Sequence, residues 1–520
     1  MLLFAEVKAR QTFIMGKAVG IDLGTTYTAV AVVDEYGKPA ILKNSDGQVT
    51  TPSVVFFDPP NYTVGETALQ STITDPESVV QFIKRFIGQS GYRIKIGGNE
   101  YSPEFVSALI LRKVVQDAAM TLGEDITDAV ITVPAYFTEQ QRHATIEAGE
   151  LAGLKVLRII NEPTAAALSY GIQRRAVDKK ILVYDLGGGT FDVTILECLP
   201  DDFNVLSVGG DHRLGGKDFD DRILGYVIDK IKQDHGVDID GDVELEAELR
   251  LKAEATKRQL TGRQSVPISL KVPNPDGEGR AIPVKIEVSR EAFEEVSSDL
   301  LSRTELLLES VLAKANLDWP DIDEVLCVGG SSRMPMVMKM LAELSGKKPL
   351  LHDPDECVAK GAALQAALLL KDESLPEVTV GHVLSHSLGV AVMSNGAPII
   401  DHIVPSLTRL PTMQRREGYT TTIDNQTLVQ IRIYEGESRD PASYGKGPIG
   451  VFNLDTTPTR PKGQPKLAVE FRCDENGRIT ALAKDADTGK ENYLTIAMAG
   501  QRSDNEVTME AQLMSEAEVS

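Results

Sequence analysis

The stretch KILVYDLGGGTFDVTIL, residues 180–196, sets two β-branched, apolar strands around a glycine turn, and AVGIDLGTTYTAVAVV, residues 18–33, repeats the design. Val, Ile, Thr and Tyr suit a pleated, half-buried surface, and Gly24-Thr25-Thr26 in one copy and Gly187-Gly188-Gly189-Thr190 in the other break it. Each turn is entered through Asp-Leu-Gly, with Asp22 and Asp185 as the acids. Two copies of one strand–turn–strand unit, much farther apart than a short-period repeat, read as an internal duplication that faces two similar lobes onto one ligand. Glycine turns let backbone N–H groups approach phosphate oxygens without a Cβ in the way, and their local dipoles favour negative charge. A polyphosphate is therefore the ligand that two such turns would clamp. One glycine hairpin alone would mean only a hairpin; the pair carries the reading.

Outward from these turns, strands alternate with helices, which implies an α/β sheet domain. Thr138 to Gln141 fits a capping box opening a helix to about Gly153, Pro163-Thr164 precedes a short Ala-rich helix ending near Gly171, and 242–260 follows a helical period closed by Gly262. No GxxxxGK[ST] loop occurs. The nearest candidate, Gly215-Gly216-Lys217, has Asp211 where the first glycine should stand, and no GxGxxG helix opening supports a dinucleotide. After Leu370 the pattern changes to period-two strands such as Val429, Ile431 and Ile433, so a domain boundary falls near 371–387 and an antiparallel β-domain follows. Asp424-Asn425-Gln426 and Glu475-Asn476-Gly477-Arg478 read as its hairpin turns.

The chain has 520 residues, enough for three or four structural units, and a formal net charge of −22, which opposes binding to nucleic acid or anionic lipid. Its four cysteines, Cys198, Cys327, Cys357 and Cys473, show neither CxxC nor metal-ligand spacing, and its seven histidines are dispersed. A reducing cytoplasm is the expected location. The apolar run at 2–5 is too short for a signal or a membrane span, and residues 1–17 read as a poorly ordered extension, of which 1–14 reflect the choice of start codon.

Six ordered motifs, VGIDLGTTYTAV (19–30), IKRFIG (83–88), VPAYFTEQQR (133–142), IINEPTAAALSYG (159–171), DLGGGTFDVTIL (185–196) and VGGSSRMP (328–335), resemble the DnaK-type 70-kDa heat-shock chaperones, densely over 18–370 and more loosely over 388–500. The resemblance implies a two-lobed actin-like ATPase domain of duplicated ribonuclease-H-like cores over 18–370. A linker over 371–387, an antiparallel β-sandwich that binds peptides over 388–500 and a short polar tail over 501–520 would follow. It implies ATP hydrolysis coupled to protein folding under stress, with ATP, ADP and magnesium as cofactors and unfolded client peptides, a J-domain co-chaperone and a nucleotide exchange factor as partners.

Residue by residue, the resemblance makes Lys84 the catalytic lysine, and Asp22 and Asp185 the holders of a hydrated magnesium ion. Glu162 becomes the carboxylate that orients water, and Gly24, Thr25, Thr26, Tyr27, Gly187, Gly188, Gly189 and Thr190 become the phosphate loops. Gly329, Gly330, Ser331, Arg333 and Asp355 would hold the adenosine end with Glu254, Lys257 and Arg258. Pro134 and Arg142 match the relay that reports nucleotide state outward. On residue type alone, Lys84 is a surface lysine and Glu254, Lys257 and Arg258 a helix salt-bridge ladder; the matched context reverses that.

Met393, Thr422, Val429 and Ile431 match positions lining the family's peptide groove, although core packing is an equally physical role for them. The chain departs from the family in two places. His382 and Ser385 stand where the linker carries an acid and a proline, which should weaken linker docking, and 501–520 has room for one short polar helix but not for a lid. Other readings are a nucleotide-gated adaptor, a small-molecule (sugar) kinase of the same two-lobed fold, and an actin-like filament protein. The β-domain and IKRFIG argue against the kinase.

Overall fold

A computed structural model describes residues 17–89, 91–174, 178–274, 281–445, 447–475, 477–496 and 504–520. The predicted duplication is visible in strand order. In the first lobe, Lys17–Leu23 lies parallel to Ile126–Val133 and antiparallel to Tyr27–Val33. In the second, Lys179–Leu186 lies parallel to Glu324–Val328 and antiparallel to Phe191–Cys198. Each sheet has six strands. In each, the turn after the Asp-Leu-Gly strand sits at the same edge, so the duplicated aspartates face one another across the space between lobes.

Two helices, Glu162–Arg174 and Cys357–Leu369, fill that space below the cleft. They pack backbone against backbone, because a Cβ on Gly361 would fall on the carbonyl of Ala165. Alanines 165, 166, 167, 359, 362, 363 and 366 around them are fully buried. The predicted capping box at Thr138 opens the helix Glu139–Leu151, with Thr138 N–H donating to Gln141 Oε1 at 3.1 Å; the helical period read over 242–260 is the helix Val243–Leu260, whose N-cap is Asp242 and whose C-cap is Thr261.

Beyond the linker, the strands Ala397–Val404, Leu388–Ser394, Leu428–Glu435 and Gly450–Asp455 form one antiparallel sheet, and Thr412–Tyr419, Leu467–Cys473, Ile479–Asp485 and Glu491–Thr495 form another. Leu388, Val390 and Ile433 from the first sheet meet Phe471, Ala481 and Ala483 from the second in one core, which makes the domain a β-sandwich. The strands flanking the second predicted turn, Leu467–Cys473 and Ile479–Asp485, pair antiparallel, while Asn476 of that turn lies outside the described residues. Asn425 does have a positive φ of 56°, but its turn connects strands of different sheets, so it is a crossover and not a hairpin.

Two features differ from expectation. The linker docks despite its altered residues: Thr379–Val380 pairs in parallel with Asp202–Asp211, and Gly381 N–H donates to the Phe203 carbonyl at 2.9 Å. The segment beyond the β-domain is not a free polar tail. Its helix Asp504–Glu516 lies on Pro103–Leu122 of the first lobe, and Glu518–Val519 adds a strand to Asn61–Val64. Met514 and Ala517 are buried in the first lobe's core. Glu510 accepts from Ser102 N–H at 3.0 Å and from Ser102 Oγ at 2.8 Å, and Arg112 donates to the Met514 carbonyl. Apart from Lys17, which starts the first strand, the predicted extension lies outside the described residues, and no helix among those described is long and apolar enough to cross a membrane.

Candidate functional site

A cleft of about 410 Å³ opens between the lobes. It is lined by Asp22, Gly24, Thr25, Thr26, Tyr27, Lys84, Glu162, Asp185, Gly187, Gly188, Thr190, Glu254, Lys257, Arg258, Gly329, Gly330, Ser331, Arg333 and Asp355, so every nucleotide-site residue inferred from the sequence is there except Gly189. Gly189 lies just behind the wall, its backbone pressed against Gly215 and the Thr25 side chain. The two turns meet so closely that a Cβ on Gly188 would overlap Thr26 Oγ1.

At the floor, Lys84 is 4% exposed and ion-paired with Glu162, itself 7% exposed, and its ammonium lies 5.9 Å from the centroid of the Phe137 ring. This lysine is thus no surface residue. Asp22 accepts from Thr132 Oγ1 at 3.1 Å. Burial, followed by the charge of Glu162, pushes its carboxyl up to about 7, with Lys84 opposing. Asp185 is driven well above the usual carboxylate range, first by burial and then by Glu162, Asp192 and Asp22.

Asp192, cross-strand partner of Asp185, completes the set; it accepts from Tyr136 N–H at 3.1 Å and rises to about 8 by burial and the charge of Glu162. Asp192 escaped the sequence reading, although it closes the GGGTFD run in which the second turn was read. Asp220 was missed too: it lines the cleft, pairs with Lys257 at 2.9 Å, and burial lifts it to about 6 despite that lysine.

Four acids against one lysine is an arrangement that lacks positive charge. Among the described residues no three His, Cys, Asp or Glu converge to hold a metal directly. Magnesium keeps most of its waters and needs one or two carboxylates, and Asp22 and Asp185, both lining the cleft, are oxygen donors of that kind.

The far end of the cleft is built mostly from the second lobe, with Tyr27 from the first. Ser331 Oγ donates to the Gly187 carbonyl at 3.1 Å, Lys257 Nζ to the Gly216 carbonyl at 2.8 Å, and Arg333 pairs with Asp355 at 2.5 Å. The Arg258 guanidinium sits 4.9 Å from the Tyr27 ring centroid and pairs with Glu254 at 2.8 Å. These planar, cationic groups and open glycines suit the face and edge of a purine with its ribose.

From the floor a path of hydrogen bonds leads to the linker. Arg142 Nη2 donates to Asn161 Oδ1 at 2.7 Å and to Ser385 Oγ at 3.3 Å, and Ser385 Oγ donates to the Ala135 carbonyl. His386 stacks edge-on to Tyr136 at 4.3 Å, and Glu435 of the β-domain accepts from the Glu139 backbone N–H at 3.2 Å. Burial pushes the carboxyls of Glu139 and Glu435 up, and burial with Arg158 and Arg142 pushes His382 down to about 3.

The predicted peptide-site residues are less tightly gathered. Ile431 is 8% exposed within the sandwich core, Val429 is half-buried on the same face, Met393 is 56% exposed and Thr422 faces solvent. The ladder between their strands covers only Leu388–Val390 against Ile433–Glu435, so Met393 and Val429 lie where the strands have parted. A comparison with protein-family models matches residues 18–519 to the family described as Hsp70 protein.

Proposed function

The chain belongs to the Hsp70 family of chaperones, and from that premise we propose that it hydrolyses ATP to ADP and phosphate and couples this to holding exposed apolar peptides in its β-sandwich. The observation that carries the reading is the meeting of two glycine turns, a buried lysine and three carboxylates in one interlobe cleft, with Asp192 directly behind. Lys84, fixed by Glu162, lines the space between the two turns together with Thr25 and Thr190. Charge spreading over a transferred phosphoryl group would be stabilised there. Magnesium, when bound at Asp22 and Asp185, would neutralise phosphate charge and relieve the repulsion among the acids.

Thr132 and the Tyr136 N–H fix Asp22 and Asp192 in place, from which Asp192 would orient water and Asp22 water and metal. Slow intrinsic turnover, accelerated by a J-domain co-chaperone and renewed by a nucleotide exchange factor, follows from such a site. For the peptide, the parted strands beside Met393 and Val429 leave backbone groups and apolar side chains for an extended segment to meet.

The test has two arms. Single-turnover phosphate release should require magnesium, and a fluorescent apolar peptide should bind wild type but bind Val429→Phe weakly at unchanged melting temperature. Turnover in EDTA equal to that in magnesium, or loss of about 1–3 kcal/mol of stability with no selective loss of binding, would refute the respective arm. A second reading, a nucleotide-gated adaptor with little client turnover, is favoured by one observation: the β-domain is anchored to the ATPase domain through both the docked linker and the 504–520 segment. Peptide release that ATP leaves unchanged would select the adaptor.

A further inference from the structure

The Gly215-Gly216-Lys217 run is not a phosphate loop, but it occupies a decisive place. Gly216 and Lys217 donate their N–H groups to the carbonyls of Gly187 and Gly188 at 2.9 and 2.8 Å, so the helix Gly216–His235 begins as a brace under the second phosphate turn. Its next two side chains reach across to the first lobe. The Lys217 ammonium lies 5.5 Å from the centroid of the Phe82 ring, within cation–π range, and is also paired with Asp221. Asp218 takes both arms of the Arg85 guanidinium, one at 3.2 Å, while the same carboxylate accepts from Gly215 N–H at 2.8 Å. Arg85 Nε donates to the Gly189 carbonyl at 3.0 Å.

Phe82 and Arg85 belong to the short segment that carries Lys84. Its neighbours Ile83 and Ile87 are packed into the first lobe's core. Phe82 is held at φ 58°, a left-handed conformation that an aromatic residue keeps only where its surroundings over-determine it. The segment bearing the catalytic ammonium is therefore gripped on both sides of Lys84 by the opposite lobe, and at one point by the phosphate turn itself.

We propose that Arg85 with Asp218 and Gly189, and Phe82 with Lys217, form an interlobe clasp that positions Lys84 against the second phosphate turn and sets how fast nucleotide leaves. Arg85 and Lys217 are positioning residues on this account: the lobes part at the floor of the cleft only when the clasp opens. The planar fork of Arg85 spends donors on two acceptors of the other lobe at once, a geometry that lysine reproduces only in part. The proposal rests on the ATPase reading for its effect on turnover, but its effect on nucleotide release needs only that the cleft binds ADP.

The experiment compares wild type, Arg85→Lys, Arg85→Met, Asp218→Asn and Lys217→Met. Stopped-flow release of a fluorescent ADP, single-turnover hydrolysis of pre-bound ATP and thermal melts are read for each. Arg85→Met should release ADP about 10–100-fold faster, as expected when a bidentate, charge-assisted contact is lost, and should slow single-turnover hydrolysis about tenfold or more. Arg85→Lys should recover part of both, Asp218→Asn should resemble Arg85→Met, and Lys217→Met should speed release about two- to fivefold. The Arg85→Asp/Asp218→Arg exchange keeps the ion pair but loses the bonds to Gly189 and Gly215, so it should recover part of the slow release relative to either single variant, which no merely structural defect would allow. Release and hydrolysis at wild-type rates in Arg85→Met and Lys217→Met, with only the melting temperature lowered, would overturn the proposal. A wild-type protein that binds ADP but does not hydrolyse ATP would sink the ATPase reading while leaving the release arm to judge the clasp.

Discussion

Replacing Lys84 with methionine keeps the length of the side chain and removes the charge that opposes Asp22, Asp185 and Asp192 and pairs with Glu162. Two losses are superimposed. With the two side chains only 5% and 9% exposed, Glu162 is left as an uncompensated buried charge, which typically costs about 3–5 kcal/mol. Hydrolysis loses a positioned charge in the transition state, worth about 3–4 kcal/mol or about 10²–10³ in rate. The two separate in a double-mutant cycle. Adding Glu162→Gln to Lys84→Met removes the orphaned charge, so most of the stability should return, with a coupling energy of up to about 3 kcal/mol in urea melts of the nucleotide-free protein. Single-turnover phosphate release should stay slow in the double variant, because no cation has been restored. ATP affinity should survive in both through the remaining turn and adenosine contacts. Recovery of hydrolysis together with stability would refute the argument, since Lys84 would then act only by keeping Glu162 folded.

Glu435→Gln keeps an acceptor for the Glu139 N–H and removes one of the acids that face Glu139 at the domain junction, where Asp474, Arg142 and His386 are the other charged or titratable neighbours. Because burial raises both Glu139 and Glu435 above the ordinary carboxyl value of 4.5, the docked state holds extra protons, and docking should weaken as pH rises from that value through the raised ones. Proteolysis of the linker at pH 5 to 8 should show this slope in wild type and a flatter one in the variant; equal slopes would count against it. Gly188→Ala forces a methyl into Thr26 and should weaken ATP binding by about ten- to a hundredfold in calorimetry, unless the turns can separate without cost. Glu510→Ala removes two charge-assisted acceptors from Ser102 and should destabilise the first lobe by about 2–4 kcal/mol. Hydrogen exchange at the start of Pro103–Leu122 should accelerate, and unchanged exchange would argue that the contact is idle.

At the candidate nucleotide site the two glycine turns were legible from residue type, because close backbone approach dictates it, whereas Lys84, Glu162 and the helix residues Glu254, Lys257 and Arg258 were legible only through the resemblance carried by six ordered motifs. Asp192 and the Arg85–Asp218 contact were less legible, since an acid within a strand and an arginine beside a lysine have no local signature; only register and lobe packing give them partners. The linker was misjudged on its side chains. It docks largely through backbone bonds at Thr379 and Gly381, which His382 does not disturb, and Ser385 supplies a hydroxyl bond to Ala135 of its own. Met514, in a helix of modest polarity, and Ala517, just past its end, pack against residues hundreds of positions upstream, and no period in the segment points there. Asn425 shows the converse: its positive φ was legible, but the partners of the flanking strands were not.

The seat of Glu510 at Ser102 joins residues 408 apart, and Glu518–Val519 supplies an edge strand to a sheet otherwise built from residues before 81. At about 5–20 residues per second of synthesis, the first lobe waits about 20–80 s on the ribosome for the pieces that complete it. During that interval the Asn61–Val64 edge offers unpaired backbone groups, and the groove for Met514 stands open to water. The nascent chain therefore carries, in its own first lobe, the exposed edge and apolar surface that invite aggregation, and that lobe gains its last strand only after the β-sandwich has been made.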